Sequence, residues 1–398
     1  MSSVRSIKIG LVMIQPSPFC NIDCRYCYLP NRASRKVLQE RTLAKIFERL
    51  FASAYLGDEF SLLWHAGEPL TVPIAFYESA SRLLAQFNRN RVRVRQSLQT
   101  NATLINQEWC DFFKHHEIDV GVSIDGPQQV HDANRVTRNG RGTFTQAIRG
   151  VRLLRENGIP VDNIAVLSSI ALDHVDEIWE FFIGEGFRSL NFNIEEVEGV
   201  HRQSSVGNSN PADVARYQAF FRRFRELRKS SGRTVPIREL DQMEKWIRSG
   251  ADEVDCTPNQ PMAILSFDCD GNISSFSPEL MAFGQSKYGD LKFGNVFDCD
   301  VDEIVKTERF RGVREDIERG IAKCRATCPY FSVCGGGEPS NKLAENGTFD
   351  STETMHCRLI IQALCDVVLE GVEESLGIPT PVPKKDPQRD PSIRGDQG

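Results

Sequence analysis

The feature that most constrains this chain is an alternation: six times between residues 8 and 229, a short apolar run gives way to an amphipathic helical stretch. Residues 8–15 (KIGLVMIQ) read as a buried strand, and further strands are expected near 60–65, 92–99, 118–124, 161–170 and 188–194. Helices are expected near 40–54, 74–88, 106–115, 143–157, 173–184 and 211–229. In one of them Thr143 and Gln146 form a T-x-x-Q capping box. Phe144, Ile148, Val151 and Leu154 then line one face, and Gly158 and Pro160 stop the helix. Strands that alternate with helices pair in parallel through right-handed crossovers. The expected fold class is therefore α/β, a partial TIM-like (β/α)6 barrel. Chemistry in such barrels sits at the C-terminal ends of the strands, which is where the motifs below fall.

The 398 residues suffice for one large catalytic domain and a smaller one. The reading is a barrel over residues 1–235, a bridging segment over 236–255, a cysteine-rich domain over 256–375 and a disordered tail over 376–398, which is Pro-rich and charged. A net charge of −6 excludes a global basic field for nucleic acid. No apolar run approaches the roughly 18 residues that cross a membrane. With no export signal at the N-terminus, the expectation is a cytoplasmic protein. Arg216, Arg222, Arg223, Arg225, Arg228 and Lys229 crowd the last of these helices. They read as a solvated face, with a contact surface for an acidic peptide as the alternative. Of the twelve cysteines, eight follow residue 250, and in a reducing compartment clustered cysteines point to metal rather than disulfides. Cys110, Cys299 and Cys365 stand singly and read as small apolar residues.

Cys20, Cys24 and Cys27 follow the first strand directly, spaced C-x-x-x-C-x-x-C. Close thiolates on a loop suit an iron–sulfur cluster, and three of them on a four-iron cube leave one iron open to a substrate. Zinc would want a fourth ligand, and no Cys or His lies near in sequence. Zinc and three unrelated core cysteines are the competing readings. This spacing, with Tyr26 just before the third cysteine, resembles the signature of the radical S-adenosylmethionine (SAM) superfamily. Four more motifs match in order. Trp64-His65-Ala66-Gly67-Glu68-Pro69 resembles the family's GGEP motif, with Ala66 at the first glycine. Gln99-Thr100-Asn101, then Ser123-Ile124-Asp125-Gly126 with Arg135, then Leu190-Asn191-Phe192-Asn193 follow at successive strand ends. The resemblance implies that Cys20, Cys24 and Cys27 hold a [4Fe–4S] cluster and that Tyr26 packs near the SAM adenine. It also implies that Ala66, Gly67 and Glu68 receive the SAM amino group, with Asn101 at the neighbouring strand end. Ser123 and Arg135 would bind the SAM carboxylate, and Asn191 and Asn193 the adenine or ribose. A guanidinium suits a carboxylate on first principles, because the two pair bidentately.

Near the C-terminus, Cys324, Cys328, Cys334 and Cys357 resemble the distal-cluster ligands of a SPASM domain, as found in peptide-modifying radical SAM enzymes. Such domains usually carry a second, proximal auxiliary cluster. Here Phe276 and Glu338 stand where two of its cysteines are expected, leaving Cys256 and Cys269. One auxiliary [4Fe–4S] cluster is therefore expected. Phe276-Ser277-Pro278-Glu279-Leu280, Gly294-Asn295-Val296, and Cys334 to Glu338 with Asn341-Lys342 resemble the cyclophane-forming maturases of glycine-rich-repeat precursor peptides, the GrrM/OscB type. That resemblance implies an enzyme that abstracts hydrogen from Cβ of a residue in a ribosomally made, glycine- and aromatic-rich precursor peptide and joins that carbon to an aromatic ring. An electron donor such as flavodoxin or ferredoxin is implied, and Glu279 and Glu338 are candidate proton acceptors. The alternatives are a radical SAM enzyme that makes a thioether, epimerises, or oxidises a Ser or Cys, and a non-enzymatic iron–sulfur scaffold that binds peptide.

Overall fold

The computed structural model describes residues 7–207, 211–250, 254–284 and 286–378. Six strands follow one another in a parallel sheet: β1 (Ile9–Ile14), β2 (Leu56–Trp64), β3 (Arg93–Thr100), β4 (Asp119–Ser123), β5 (Val161–Leu167) and β6 (Phe192–Ile194). Between them run α1 (Glu40–Phe51), α2 (Ile74–Phe87), α3 (Gln107–His115), α4 (Gln128–Asn134), α5 (Phe144–Glu156), α6 (Ser169–Leu172) and α7 (Val175–Gly184). Sequence neighbours are sheet neighbours throughout, as the alternation predicted. The helices bury apolar stripes against the sheet, as in α1, where Leu43, Ile46, Phe47 and Leu50 are fully buried.

The helical face of Ile148, Val151 and Leu154 is buried as expected, but the capping box is not formed. Thr143 spends its hydroxyl on the Arg135 carbonyl (2.8 Å) and meets the His131 ring at 3.1 Å. Asp132 supplies the missing acceptor instead, taking the Phe144 N–H at 2.8 Å. A cap from another segment does the same work as a local one and ties α5 to the strand-end region beside Arg135.

After the parallel strands come α8 (Pro211–Ser231) and α9 (Arg238–Ser249). The arginines of α8 are neither a bare solvated face nor a peptide surface. Arg222 grips Glu370 with two bonds of 2.7 Å, Arg223 pairs Asp176, Arg225 pairs Glu374, Arg228 pairs Asp241, and Arg216 pairs Asp173 and Asp213. They hold α8 to α7, α9 and the last helix.

The cysteine-rich segment continues the same sheet: β7 (Ile264–Phe267) lies parallel to β1 on its free edge, and β8 (Asn272–Ser275) and β9 (Gly294–Asn295) add antiparallel strands. Then follow α10 (Glu308–Thr327), α11 (Phe331–Cys334), α12 (Pro339–Asn346), a π-helical turn over Cys357–Ala363 and α13 (Leu364–Ser375). Of the expected tail, residues 379–398 lie outside the described residues. Among the described residues no helix is long and apolar enough to cross a membrane.

Candidate active site

The cysteine loop after β1 is fastened before any cofactor is considered. The Cys20 carbonyl accepts from Arg138 (2.8 Å) and the Cys20 N–H donates to the Arg32 carbonyl (3.1 Å). Asp23 N–H donates to the Val136 carbonyl (2.7 Å) and Arg25 N–H to that of Asn134 (3.0 Å). Asn21 is held from the end of β3, donating to Thr103 (2.8 Å) and accepting from Asn101 (2.9 Å). The loop therefore faces one cavity lined by Cys20, Cys24, Cys27, Tyr26, Gly67, Glu68, Asn101, Ser123, Arg135 and Asn193. Ala66 and Asn191 are not on that wall. Ala66 is buried with φ +71°, the left-handed region, where a side chain is strained and the family's glycine is not. Asn191 is spent on the β5–β6 seam, donating to the Asn163 carbonyl (2.9 Å) and Ser189 (2.9 Å). Gly67 has no substitute: at φ +76° a Cβ would collide with the Ser17 and Phe19 carbonyls, so the GEP turn can approach the cysteine loop only as glycine.

Burial pushes the Cys20 and Cys24 thiols up to about 12, with Glu68 adding to the rise at Cys20 and Arg135 opposing it at Cys24. Thiols so placed ionise only against a bound cation, which is the state of cluster ligands. No disulfide joins them. Glu68 is a brace: its two oxygens accept from Leu70 N–H (3.0 Å), the Thr100 hydroxyl (2.7 Å) and Asn101 N–H (2.8 Å). Burial still raises its carboxyl to about 7. Arg135 forms a buried ion pair with Asp125 at 3.0 Å, and Asp125 also accepts from Tyr26 OH (2.5 Å) and Val166 N–H (2.9 Å). Arg135 Nε is buried with no acceptor, an N–H left over for an anionic ligand. Gln99 donates to Ser123 at 2.8 Å, which fixes that hydroxyl at the rim. These residues fit a three-thiolate cluster with a carboxylate-bearing ligand beside it.

A second cavity is lined by Cys324, Cys328, Cys334 and Cys357, brought together from the end of α10, the loop after it, α11 and the π-helical turn. Cys256 lies on the same wall, its thiol 3.7 Å from the Gly337 carbonyl. Cys269 does not: it sits at the β7–β8 turn in another cavity, beside Lys36, Asp268 and Asp270. Gly335 has φ +67° and a Cβ on it would strike the Val254 carbonyl, so the glycine run lets the chain press against the Cys256 segment. Phe276 has φ +70°, rare for a bulky residue, and stacks on Phe310 (5.2 Å between centroids) with Phe293 edge-on. An aromatic core therefore occupies the position where a proximal-cluster thiolate was looked for. Cys110 and Cys365 are buried, in keeping with an apolar role.

The two cavities share Asn193, Glu196 and Glu279. Glu279 is thus the candidate acid that reaches both, while Glu338 lines only the distal one. Sequence reasoning missed Glu196 and Glu198. Asn341 gathers them, donating at 2.7 and 3.5 Å, and His356 lies 3.6 Å from Glu196. Burial drives the carboxyls of Glu196, Glu198 and Glu279 upward, repulsion from Glu345 adds to it at Glu196 and repulsion from Glu196 at Glu198 and Glu279, and burial raises Glu338 to about 7. The available signal was position, since Glu195-Glu196-x-Glu198 directly follows β6 at its C-terminal end. His65 was also missed. It lines the SAM-side cavity with Nδ1 unpartnered, and burial lowers its imidazole to about 4.

Comparison with known proteins agrees with this geometry. The profile described as the radical SAM superfamily matches residues 14–182. The uncharacterized protein sll1766 of Synechocystis sp. is 41% identical over 387 residues, 94% of this chain and 96% of that protein. The cysteine-type anaerobic sulfatase-maturating enzyme of Clostridium novyi is 26% identical over 357 residues, 85% of this chain and 91% of that enzyme. Among solved structures, native anSMEcpe with bound AdoMet superposes with a TM-score of 0.75 at 21% identity, over 92% of this chain and 99% of that one. Streptococcus suis SuiB bound to its precursor peptide SuiA gives 0.60 at 16% identity, over 88% of this chain and 76% of that one. Residues 14–182, which carry the three-cysteine loop at the head of the parallel sheet, match the radical SAM superfamily, whose members use SAM and a [4Fe–4S] cluster.

Proposed function

We propose that this protein is a radical SAM peptide maturase that forms a carbon–carbon crosslink, a cyclophane, between an aromatic ring and the Cβ of a nearby residue in a ribosomally made precursor peptide. The observation that carries the reading is that the two cavities adjoin: the one at the cysteine loop and the one at the distal cysteine wall share Asn193, Glu196 and Glu279 as lining residues. A peptide segment lying across that junction meets the SAM side at one end and an apolar wall of Phe192, Trp246 and Phe331 at the other. Cys20, Cys24 and Cys27 would hold a [4Fe–4S] cluster, which, with an electron from a donor such as flavodoxin or ferredoxin, would supply the reductive cleavage of SAM to methionine and a 5′-deoxyadenosyl radical. Arg135 and Ser123 would hold the SAM carboxylate, Gly67 and Glu68 would shape the amino-group side, and Tyr26 and Asn193 would flank the nucleoside. Glu279, whose carboxyl burial pushes up to about 7, can take up the ring proton when ionised, and its place on the walls of both cavities suits that role better than Glu338. Cys324, Cys328, Cys334 and Cys357 would hold one auxiliary [4Fe–4S] cluster. We assign residues 1–235 to the catalytic half, 236–255 to the bridge and 256–375 to the SPASM half.

The test is reaction of the reconstituted protein with a glycine- and aromatic-rich precursor peptide, SAM and a reductant. A crosslinked product lacks two hydrogens, resists carbonyl reagents and gives no fragments within the ring by tandem mass spectrometry. The likeness to sulfatase-maturating enzymes favours a second reading, oxidation of a Ser or Cys side chain. At Ser it loses the same two hydrogens but leaves a carbonyl that reacts with a hydrazide; at Cys the thioaldehyde first formed hydrolyses to the same carbonyl, so sulfur is exchanged for oxygen and the mass change differs from that of a crosslink. No mass change in the peptide would count against both.

A further inference from the structure

Asn341 and Lys342 share the first turn of α12, and only Asn341 faces the carboxylate row. Lys342 is 4% exposed, forms no ion pair with a carboxylate among the described residues, and lines the distal cysteine cavity. Its ammonium donates to Cys324 Sγ at 3.6 Å, and its field also favours the thiolate form of Cys256. It packs beside Gly320 of α10, where a Cβ would strike the Phe349 carbonyl and stand 3.1 Å from Lys342 Nζ. A lysine buried without a carboxylate is rare, because its desolvation needs an anion to offset it. Four thiolates around an iron–sulfur cluster are such an anion.

We propose that Lys342 is a charge set on the Cys324 ligand of the auxiliary cluster to raise its reduction potential. This rests on the auxiliary cluster assigned above. Reduction adds one negative charge to the cluster, and a cation donating to a ligand sulfur in a dry site stabilises the reduced form more than the oxidised one. The consequence is directional. Once the Cβ radical has added to the aromatic ring, restoring aromaticity expels one proton and one electron. The proton goes to a carboxylate at the junction and the electron to the oxidised auxiliary cluster, which is reduced by one unit. Lys342 makes that transfer favourable, so the auxiliary cluster is an electron acceptor and not only a staple for the fold.

The experiment is an anaerobic redox titration of the full-length holoprotein followed by EPR, with iron counted in each sample. Lys342→Met is expected to lower the auxiliary midpoint potential by about tenfold in the reduction equilibrium, which is about 59 mV for one electron. The cluster at Cys20, Cys24 and Cys27 should not move and serves as the internal control. Lys342→Arg should retain most of the wild-type potential. Lys342→Gln, which keeps a donor without the charge, should read the same fall if the Met variant loses iron. An unchanged auxiliary potential, or equal shifts at both clusters, overturns the proposal. So does loss of the auxiliary irons in both neutral variants but not in Lys342→Arg, which would make Lys342 a folding residue. A wild-type protein with a single cluster overturns the auxiliary-cluster reading itself, a result distinct from two clusters with an unmoved potential.

Discussion

The two cysteine sites of this protein are built in opposite ways. Cys20, Cys24 and Cys27 lie on one loop, pinned by hydrogen bonds to Arg32, Val136, Asn134, Arg138, Asn101 and Thr103. Cys324, Cys328 and Cys334 come from one stretch of chain and Cys357 from another, and Cys256 joins them from a third. The difference teaches which site needs its metal to hold a shape. The first is preformed by the barrel and open to a ligand on one side; the second brings together segments that lie far apart in the chain. Burial and neighbouring thiols push Cys357 up to about 12, and a shared cation would add its bonds to the Asn259 contacts with the Gly335 and Gly337 carbonyls.

The largest effect should come from breaking the second site. Changing Cys324 and Cys357 together to Ala should remove about half of about eight irons and lower Tm by about 5 °C or more. The Cys20, Cys24 and Cys27 triple Ala variant should lose a similar amount of iron with a smaller change in Tm. Iron analysis and calorimetry check this, and equal falls in Tm would erase the contrast.

Arg135 comes next. Arg135→Ala leaves Asp125 buried without its cation and should destabilise the fold by about 3–5 kcal/mol. SAM affinity should fall by about tenfold or more. Arg135→Lys should restore it only in part, since a point charge cannot copy the fork. The double variant Arg135→Gln, Asp125→Asn should recover much of the stability but not the affinity. Calorimetric titration with SAM separates the two losses, and SAM affinity unchanged in Arg135→Ala would remove that residue from the site.

A smaller effect concerns the carboxylates between the sites. Burial raises Glu338 and Glu68 to about 7 and drives Glu279 upward. The folded protein then binds more protons than the unfolded chain between their ordinary carboxyl range and about pH 7. This contribution to stability is fully present below about pH 4.5 and is lost as pH rises through about 7. Tm should decline from pH 6 to pH 8, less steeply in Glu279→Gln, and a parallel decline in that variant would show that Glu279 does not titrate there. The smallest expected effect is at Cys256, where Ser should leave the iron count unchanged because Phe276 and Glu338 deny a third cluster its thiolates.

The barrel was legible because each of its signals is local. All six parallel strands begin or end within a few residues of their expected positions, since each is an apolar run closed by a turn, and the cysteine loop follows the first of them. Strands β7 to β9 were not foreseen: runs of two to four residues in glycine-rich text carry no period to read. The capping box at Thr143 and the arginine stripe of α8 misled for one reason. Their partners, Asp132, Arg135, Glu370 and Glu374, come from other segments, and a sequence pattern cannot show which polar group is already taken. The same limit hid Glu196, joined to Asn341 across 145 residues, and the contact of Lys342 with Cys324, which appears only when α10 and α12 are packed together.

The central claim is that the thiols of the first loop, and not those of the second, hold the cluster that splits SAM. Anaerobically reconstituted protein, given SAM and a strong reductant, is assayed for 5′-deoxyadenosine beside the Cys20, Cys24 and Cys27 triple Ala variant. The account predicts release by the wild-type protein and none by the variant, while the variant keeps the irons of the distal site. Release that persists in the variant, or none from fully loaded wild-type protein, would contradict it.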